Sequence, residues 1–307
     1  MTTNNESERM TTTQVAGMTE IAPAPFISKK KDEPTKSVVA KKKAKAKKKT
    51  ATRSVEKKED EMKFDEPVIK EEDATVGEAS KKNLIIAMPV LDKIEPFTNF
   101  AVMYLLNKYH GKVGFDMVVQ SFVTEARNTL ANRFLNMQTK PKWILFIDSD
   151  IIPPIGVPSV QQQYFGIRHG NQFDSIDAIQ RLVKHGKGLV SGVYFTKQRN
   201  GVAEFAEARR DKNMNDKAKN APMDEIVPTS WAGAGCLLIN RAVLEKMVTE
   251  KAVARDSNGN YGFFTPDIPN QGEDVAFFAR AKNAGIQGYV DLGCVCGHVG
   301  KYIYMGK

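Results

Sequence analysis

Two aspartates stand directly after a run of large apolar residues, and their spacing is typical of a site for a divalent cation. The run Trp143 to Ile147 predicts a buried strand, and Asp148, Ser149 and Asp150 follow it. Because strand side chains alternate with a period of two, we expect Asp148 and Asp150 to point the same way. Carboxylate oxygens are the hard ligands that Mg2+ and Mn2+ prefer. A cation held there would neutralise a diphosphate and help it to leave.

The elements that must position these aspartates alternate between strands and helices. Short apolar runs predict strands over 84–90, 115–119, 143–147, 188–195, 236–239 and 287–292. Helical spacing predicts helices over 95–109, 124–137, 176–184, 241–250 and 273–284. This alternation predicts an α/β fold with a mostly parallel central sheet and the aspartates at its carboxyl edge. The polar stretch 199–222 is expected to be an irregular loop near the site.

The beginning of the chain differs in composition from the rest. Residues 1–80 are rich in Lys, Glu, Thr and Ala with few aromatics, which predicts a disordered tail before one folded domain over 81–307. The chain carries a net charge of +9, and the segment between Lys41 and Lys49 is almost entirely Lys and Ala. That segment is either a polyanion-binding element or a solvated, solubilising one. If it contacts DNA, it does so through phosphates and without base specificity.

The three cysteines, Cys236, Cys294 and Cys296, argue against a disulfide-stapled secreted fold because their number is odd. Cys294 and Cys296 are one residue apart, which is poor spacing for a zinc knuckle, so we expect core thiols in a strand. No stretch approaches the length of a membrane span, and the N-terminus lacks the apolar core of a signal peptide. We therefore expect a cytoplasmic protein with no membrane span.

Several short motifs occur in a specific order along the predicted fold. They are Met88-Pro89-Val90 after the first strand, Ala126-Arg127-Asn128 in the second helix, Asp148-Ser149-Asp150 after the third strand, Gly233-Ala234-Gly235 before the Cys236 strand, Gly272-Glu273-Asp274 at the start of the last helix, and His298 after the last strand. This order and spacing resemble the GT-A-fold glycosyltransferases, most closely the family 2-like branch, over about residues 83–300. The Asp-x-Asp motif alone is common, but the combination is far more specific.

The resemblance implies a single Rossmann-like GT-A domain that binds a nucleotide-diphospho-sugar with Mn2+ or Mg2+. Asp148 and Asp150 would bracket the ribose and the metal-bound diphosphate, with Asp150 as the better candidate for direct metal contact. His298 matches the late metal ligand of such enzymes, and a satisfied structural histidine is the alternative. Arg127 and Asn128 match the pair placed near the nucleotide. The alternative for this pair is the surface of an amphipathic helix.

Other positions would shape the same cleft. The resemblance puts Pro89 beside the nucleotide base and the loop with Gly233 and Gly235 beneath the transferred sugar. Trp231 would stack on the sugar or acceptor, and plain packing is the alternative for this residue. One departure concerns the second strand, because Val118-Val119-Gln120-Ser121 stands where an acidic residue would read the base. The resemblance therefore leaves the nucleotide open.

The candidates for proton transfer are Glu273 and Asp274 at the predicted start of the last helix. The resemblance implies that Asp274 is the general base of an inverting transfer, taking the proton of the acceptor hydroxyl. Glu273 would then orient the acceptor. The alternative is that both carboxylates only complement the helix dipole.

The leading hypothesis is thus a metal-dependent glycosyltransferase that uses a nucleotide sugar. Viral enzymes that glycosylate hydroxymethylated DNA bases fit the Lys-rich tail best, which would place the protein in the host cytoplasm. A polysaccharide, lipid or protein acceptor is the alternative. A second class is a phosphatase, because 148–152 superficially resembles the aspartate motif of haloacid-dehalogenase-type enzymes, although Ile152 departs from it. A third class is a non-catalytic nucleic-acid-binding protein with a degenerate enzyme fold.

Overall fold

The computed structural model describes residues 83–160, 175–198, 201–220 and 225–304. The predicted tail over 1–80, including the basic segment between Lys41 and Lys49, lies outside the described residues. None of the helices in the described ranges combines the length and the hydrophobicity that a bilayer span requires.

Strands and helices alternate along most of the described chain, at positions close to the predicted ones. The strands are β1 (Leu84–Val90), β2 (Val113–Val119), β3 (Trp143–Ile147), β4 (Ile151–Ile152), β5 (Leu189–Val193), β6 (Ile226–Thr229), β7 (Cys236–Asn240), β8 (Gly288–Val295), β9 (Gly297–Val299) and β10 (Ile303–Tyr304). The helices are α1 (Pro96–Lys108), α2 (Val123–Asn136), α3 (Ala178–Lys184), α4 (Ala206–Arg210), α5 (Lys212–Lys219), α6 (Arg241–Thr249) and α7 (Glu273–Asn283).

The main sheet has seven strands in the order β2-β1-β3-β7-β5-β8-β6. The pairs β1–β2, β1–β3 and β5–β8 are parallel, whereas β7 and β6 run antiparallel to their neighbours. Strands β2, β1, β3, β5 and β8 therefore share one direction. The predicted α/β fold with a mostly parallel sheet is confirmed at this level.

Helices cover both faces of the sheet, which is why its central strands are mostly apolar. Every residue of β1, β3, β5 and β7 is buried. One face packs against α2, α6 and α7, and the other packs against α1 and α3. Each fully buried Leu or Phe in these layers stabilises the fold by about 1.5–3 kcal/mol relative to its exposed state. These two helical layers support the edge of the sheet from which the candidate site residues extend.

The prediction of an irregular loop over 199–222 is wrong for most of its described residues. They form α4 and α5, and the side chain of Asp211 caps α5 by accepting a hydrogen bond from the backbone N–H of Asn213. Small side chains bury these helices, notably Ala206, Ala208 and Ala218. A short helix that docks through alanines lacks the large apolar residues that make helical periodicity visible in a sequence.

A second, three-stranded sheet lies where the chain leaves β3, in the order β10-β9-β4. In its antiparallel ladder Ile151 lies opposite His298, and Ile152 lies opposite Gly297. The backbone N–H of Val299 donates to the carbonyl of Asp150 over 2.8 Å. This small sheet brings the late histidine beside the aspartate motif, although the two are far apart in the sequence.

Candidate active site

The two aspartates of the Asp-x-Asp motif serve different partners. The strand alternation invoked to align them does not reach them, because β3 ends at Ile147. The backbone then turns, with the N–H of Ile151 donating to the carbonyl of Asp148 over 3.0 Å. Asp148 contacts Arg127, and Asp150 contacts Lys197 and His298. The motif therefore supplies one carboxylate to each of two neighbouring clusters.

Arg127, Asp148 and Glu273 form what we call the arginine cluster. Arg127 is only 2% exposed, and its Nη2 donates to both carboxylate oxygens of Asp148 over 2.6 and 2.8 Å. Its Nη1 donates to Oε1 of Glu273. Its guanidinium carbon lies 5.9 Å from the ring centre of Phe264. The surface alternative for Arg127 is excluded, because its guanidinium is buried and its two terminal nitrogens bond carboxylates from two distant segments.

Asn128, predicted to lie near the nucleotide, holds a loop in place. Its Oδ1 accepts from the backbone N–H of Phe264 over 2.8 Å, and its Nδ2 donates to Oγ1 of Thr265 over 3.0 Å. One helical turn on, Asn132 makes both hydrogen bonds to the backbone of Tyr261. These two amides fix the segment that carries Phe264 under Arg127. Both ends of the Asn128 side chain are thus engaged within the protein.

Asp150, Lys197 and His298 form the second group, which we call the Asp150 cluster. The ammonium of Lys197 lies 2.5 Å from Oδ2 of Asp150, and Nε2 of His298 lies 3.6 Å from the same oxygen. Burial acts to raise the pKa of Asp150, but the interactions with His298 and Lys197 outweigh it and lower the pKa to about 2. Asp150 is therefore a carboxylate at any physiological pH.

His298 is oriented for a ligand role on the side facing Asp150. Its Nδ1–H donates to the carbonyl of Phe195 over 2.8 Å. This bond fixes the ring with Nε2 facing the carboxylate, as in metal sites where a backbone carbonyl orients a histidine. Asp150 and His298 together therefore suit a divalent cation that completes its shell with water and phosphate oxygens.

The metal set predicted from the sequence included Asp148, and here the geometry differs. Both oxygens of Asp148 accept from Arg127, so this carboxylate is committed to the arginine cluster. Across the described ranges, Asp148, Asp150 and His298 do not converge as a group of three ligand atoms. Lys197, which the sequence analysis did not single out, occupies the oxygen that a cation would take. Its side chain is 40% exposed and flexible, so it can move aside.

Glu273 and Asp274 are adjacent in the sequence but differ in their surroundings. Helix α7 begins at Glu273, whose carboxylate turns inward to Arg127. Asp274 stays outside that ion pair, and its Oδ1 accepts from the backbone N–H of Val275 over 2.7 Å. Burial and the negative charge of Glu273 raise the pKa of Asp274 to about 6. A carboxyl with such a pKa accepts protons at neutral pH, as a general base must.

The Gly-x-Gly loop makes room for a tyrosine. A Cβ on Gly233 would lie 2.0 Å from Oη of Tyr194, and one on Gly235 would lie 3.0 Å from Cζ of that ring. The N–H of Gly235 donates to the Tyr194 hydroxyl over 3.2 Å. Burial and the charge of Asp148 raise the pKa of Tyr194, so its phenol stays neutral. The ring also meets His298 edge-on at 5.4 Å, which connects this loop to the Asp150 cluster.

Trp231 has the surroundings of a packing residue. It is partly buried against the core cluster that contains α2, α6 and α7. The guanidinium carbon of Arg209 lies 5.6 Å from the centre of its ring. Its carbonyl accepts from the backbone N–H of Ala206 over 3.0 Å, which docks α4. The predicted stacking on a sugar or acceptor would require Arg209 to leave the ring.

Two adjoining cavities lie along this edge of the sheet. The smaller, of about 190 Å3, is lined by Pro89, Asp148 and Asp150 among others, so three residues predicted to hold a donor share one cavity. The larger, of about 1150 Å3, is lined by Asn128 and other polar residues of α2 and of the segment 256–265. Gln120 lines both cavities, and its Nε2 donates to Oε2 of Glu125 over 2.8 Å.

Glu125 and Lys197 are the site residues that the sequence analysis missed. Glu125 supplies an acidic group close to the end of β2, where the sequence offered only Gln120. Its position in the first turn of a predicted helix masked it, because acidic residues are ordinary there. Lys197 stands between the predicted strand 188–195 and the polar stretch 199–222, and no motif marked it.

Comparisons with known proteins add little to this description. No family model matches the chain, and no curated protein matches it. Among solved structures, the crystal structure of A197 from STIV is similar with a TM-score of 0.45 and 16% sequence identity, covering 73% of this chain and 94% of that chain. A similarity at that level carries no conclusion about fold family or function.

Proposed function

We propose that this chain is a metal-dependent glycosyltransferase with a GT-A-like arrangement of its sheet, transferring a sugar from a nucleotide-diphospho-sugar with inversion. The observation that carries the proposal is that a candidate general base and a candidate cation site occur close to the same tyrosine, Tyr194. Asp274 is a carboxylate with a pKa of about 6 that stays outside the adjacent ion pair. Tyr194 connects it to the candidate cation site, because the charge of Asp274 acts on the Tyr194 hydroxyl and the Tyr194 ring meets the oriented His298 edge-on. A base near a cation site is what such a transfer requires.

The donor would occupy the smaller cavity. Pro89 would shape the pocket of the base, and Asp150 with His298 would hold Mn2+ or Mg2+ at the diphosphate. The cation, when bound, supplies charge neutralisation for the leaving nucleoside diphosphate. Lys197 would leave Asp150 when the cation arrives and pair with a phosphate oxygen instead.

The arginine cluster would serve the transfer by positioning Asp148 and Glu273. Arg127 fixes Asp148 at the donor cavity and Glu273 at the start of α7, so its buried charge sets the spacing between donor and base. Glu273, expected to orient the acceptor, uses one oxygen to bind Arg127. We therefore assign it to positioning Asp274, which takes the acceptor proton as the hydroxyl attacks the anomeric carbon.

The larger cavity bears on the acceptor. Among the described residues, Asp116, Glu125 and Asp256 line it with several asparagines and threonines, against the single basic side chain of Arg133. Such a lining suits an uncharged polyhydroxyl acceptor and repels phosphates. A DNA acceptor with a hydroxymethylated base would instead be held by the Lys-rich segment between Lys41 and Lys49. Two classes of acceptor are therefore to be tested: a polysaccharide, lipid or protein acceptor, and modified DNA.

A phosphatase of the haloacid-dehalogenase type is less well supported. Its first aspartate must attack phosphorus as a free nucleophile. Both oxygens of Asp148 accept hydrogen bonds from a buried arginine, which lowers their nucleophilicity. Binding of nucleic acid without catalysis would leave the raised pKa of Asp274 and the orientation of His298 without a role.

The test is a panel of nucleotide sugars with Mn2+ or Mg2+, following release of nucleoside diphosphate. Parallel arms contain oligosaccharides, hydroxymethylcytosine-containing DNA, or no acceptor. We expect metal-dependent release that Asp150→Ala abolishes together with metal-dependent donor binding. Glu245→Ala, which removes an exposed carboxylate from α6, is the matched control and should behave as the wild type.

The arms separate the alternatives. Release stimulated by the modified DNA, and lost on deleting residues 1–80, identifies the DNA acceptor. Release stimulated only by oligosaccharides identifies the polyhydroxyl acceptor. Phosphate release from a generic phosphoester, or the absence of donor binding with every nucleotide sugar, would overturn the proposal.

A further inference from the structure

The three cysteines converge at one point inside the protein. Cys236 is the first residue of β7, Cys294 lies in β8, and Cys296 lies between β8 and β9. Their sulfur atoms all lie within 4.8 Å of one another, and each residue has an exposure of 0%. Within the ranges that the structure describes, no histidine or carboxylate joins them. We call this group the thiol cluster.

The backbone departs from regular sheet geometry to form this cluster. The register between β5 and β8 shifts, so that Gly192 pairs with Asp291 while Val193 pairs with Val295. The extra residues of β8 in this bulge include Cys294. A Cβ on Gly192 would lie 3.1 Å from the Cys294 sulfur and 3.2 Å from the Cys296 sulfur. A bulge opposite a glycine is a specific device for aiming side chains, which ordinary core thiols do not need.

The chemistry of the cluster is that of a soft ligand set. Thiolates, unlike thiols, bind metals, and soft sulfur ligands select Cu(I), Zn(II) or iron–sulfur centres over Mg2+ and Mn2+. Zn(II) in structural sites takes four ligands, whereas three converge here.

We propose that Cys236, Cys294 and Cys296 bind one thiophilic cation in three-coordinate geometry, Cu(I) in preference to Zn(II). Each thiol that becomes a ligand loses its proton to solvent, and no electron is transferred. A disulfide is a poorer interpretation, because it would leave one thiol over and because full burial keeps oxidants away. The proposal is independent of the glycosyltransferase assignment, since it concerns different residues and a different class of metal.

The position of the cluster gives the cation a structural role. Cys236 follows Gly235, whose carbonyl accepts from the backbone N–H of Asp148 over 3.0 Å. Cys296 is two residues before His298, and its own N–H donates to Val193 over 2.8 Å. A bound cation would therefore cross-link the segment whose Gly235 carbonyl holds the backbone of Asp148 to the segment that carries His298.

The experiment uses the full chain, purified without oxygen and freed of metals. Cu(I), Zn2+ and Cd2+ are added in separate titrations, and thiolate-to-metal charge-transfer absorption and thermal stability are followed. We expect saturation at one Cu(I) per chain and a higher melting temperature. X-ray absorption at the copper edge should give sulfur neighbours only, three per ion.

Variants connect the signal to the thiols. Cys236→Ala and Cys294→Ala should lose the charge-transfer absorption and the rise in melting temperature on adding Cu(I). Val290→Ala, a buried β8 change outside the cluster, should melt at a lower temperature but still show the absorption and the Cu(I)-induced rise. If the cysteine variants do not fold, the absorption edge of the wild-type protein decides. Nitrogen or oxygen neighbours, no saturable absorption, or a disulfide in the anaerobic protein would overturn the proposal. Stoichiometric Zn2+ with a fourth ligand would overturn the three-coordinate Cu(I) assignment.

Discussion

The two halves of the Asp-x-Asp motif lie in clusters whose permanently charged cationic partners differ sharply in exposure, 2% for Arg127 and 40% for Lys197. The arginine cluster is centred on a guanidinium that is 2% exposed, with carboxylates on two sides. The Asp150 cluster is centred on a carboxylate that is 32% exposed, with a flexible lysine and an oriented histidine around it. In the first, a buried guanidinium holds two carboxylates, whereas in the second an exposed lysine can give way to another positively charged partner.

This difference shows that an acidic motif is not a metal site by its spacing alone. Asp148 and Asp150 have the same side chain and are separated by one residue, but only Asp150 has an oxygen that a cation can reach by displacing a mobile group. In a buried cluster, removal of one ion leaves the others unpaired, so its members are expected to affect stability. In the open cluster, members are expected to affect ligand binding.

The largest effect is predicted for Asp274, which adjoins the arginine cluster without joining it. Asp274→Asn should lower turnover by roughly 10^2–10^4-fold, the usual contribution of a general base, and should leave donor affinity unchanged. Transfer rates and donor binding by calorimetry measure the two quantities. Glu273→Gln is the control, and we expect it to lower the melting temperature. If Glu273→Gln lost more turnover at unchanged stability, the roles of the two residues would be reversed.

The burial of Arg127 predicts a large loss of stability when its positive charge is removed. Arg127→Met should reduce the free energy of unfolding by about 3–5 kcal/mol, because it leaves two partly buried carboxylates unpaired. Arg133→Met removes another arginine of α2, one that is 54% exposed and paired with Asp116, and should cost no more than about 1 kcal/mol. Urea denaturation compares the two. Equal losses of stability in the two variants would show that the burial of Arg127 does not strengthen its ion pairs.

The raised pKa of Asp274 predicts a pH dependence with a definite sign. Below about pH 6 the carboxyl is protonated and cannot accept the acceptor proton, so turnover should fall about tenfold per pH unit. Above that pH the rate should level off. The residual activity of Asp274→Asn should not show this fall at low pH. A wild-type profile that rises toward low pH would contradict the assignment of the base.

The smallest effect on stability is predicted for Lys197, the exchangeable partner in the Asp150 cluster. Lys197→Met should change the free energy of unfolding by less than about 1 kcal/mol, since the ion pair is well exposed. It should strengthen Mn2+ binding, because the competing ammonium is gone, and weaken donor binding. Lys93→Met, which removes a surface pair with Glu95, is the control and should change neither. Weaker Mn2+ binding in Lys197→Met would contradict the exchange.

Much of the fold was predictable from the sequence, because its central strands are long apolar runs. The predicted bounds of the first and third strands coincide with β1 and β3. Strand β6 was missed because its edge position mixes buried and exposed residues, and β4, β9 and β10 were missed because two or three residues carry no period. Helices α4 and α5 were missed because alanines bury them.

The sequence by itself determined which residue types stand at the ends of the strands: the aspartates after β3, the acidic pair at α7 and the histidine after β8. Only the tertiary structure decided their partners. Arg127 meets Glu273 across 146 positions, and His298 reaches Asp150 through two strands too short to predict. Likewise Cys294 and Cys296, expected as core thiols in a strand, meet Cys236 at a bulge. Pairing of this kind depends on how distant segments pack, which local spacing in the sequence does not encode.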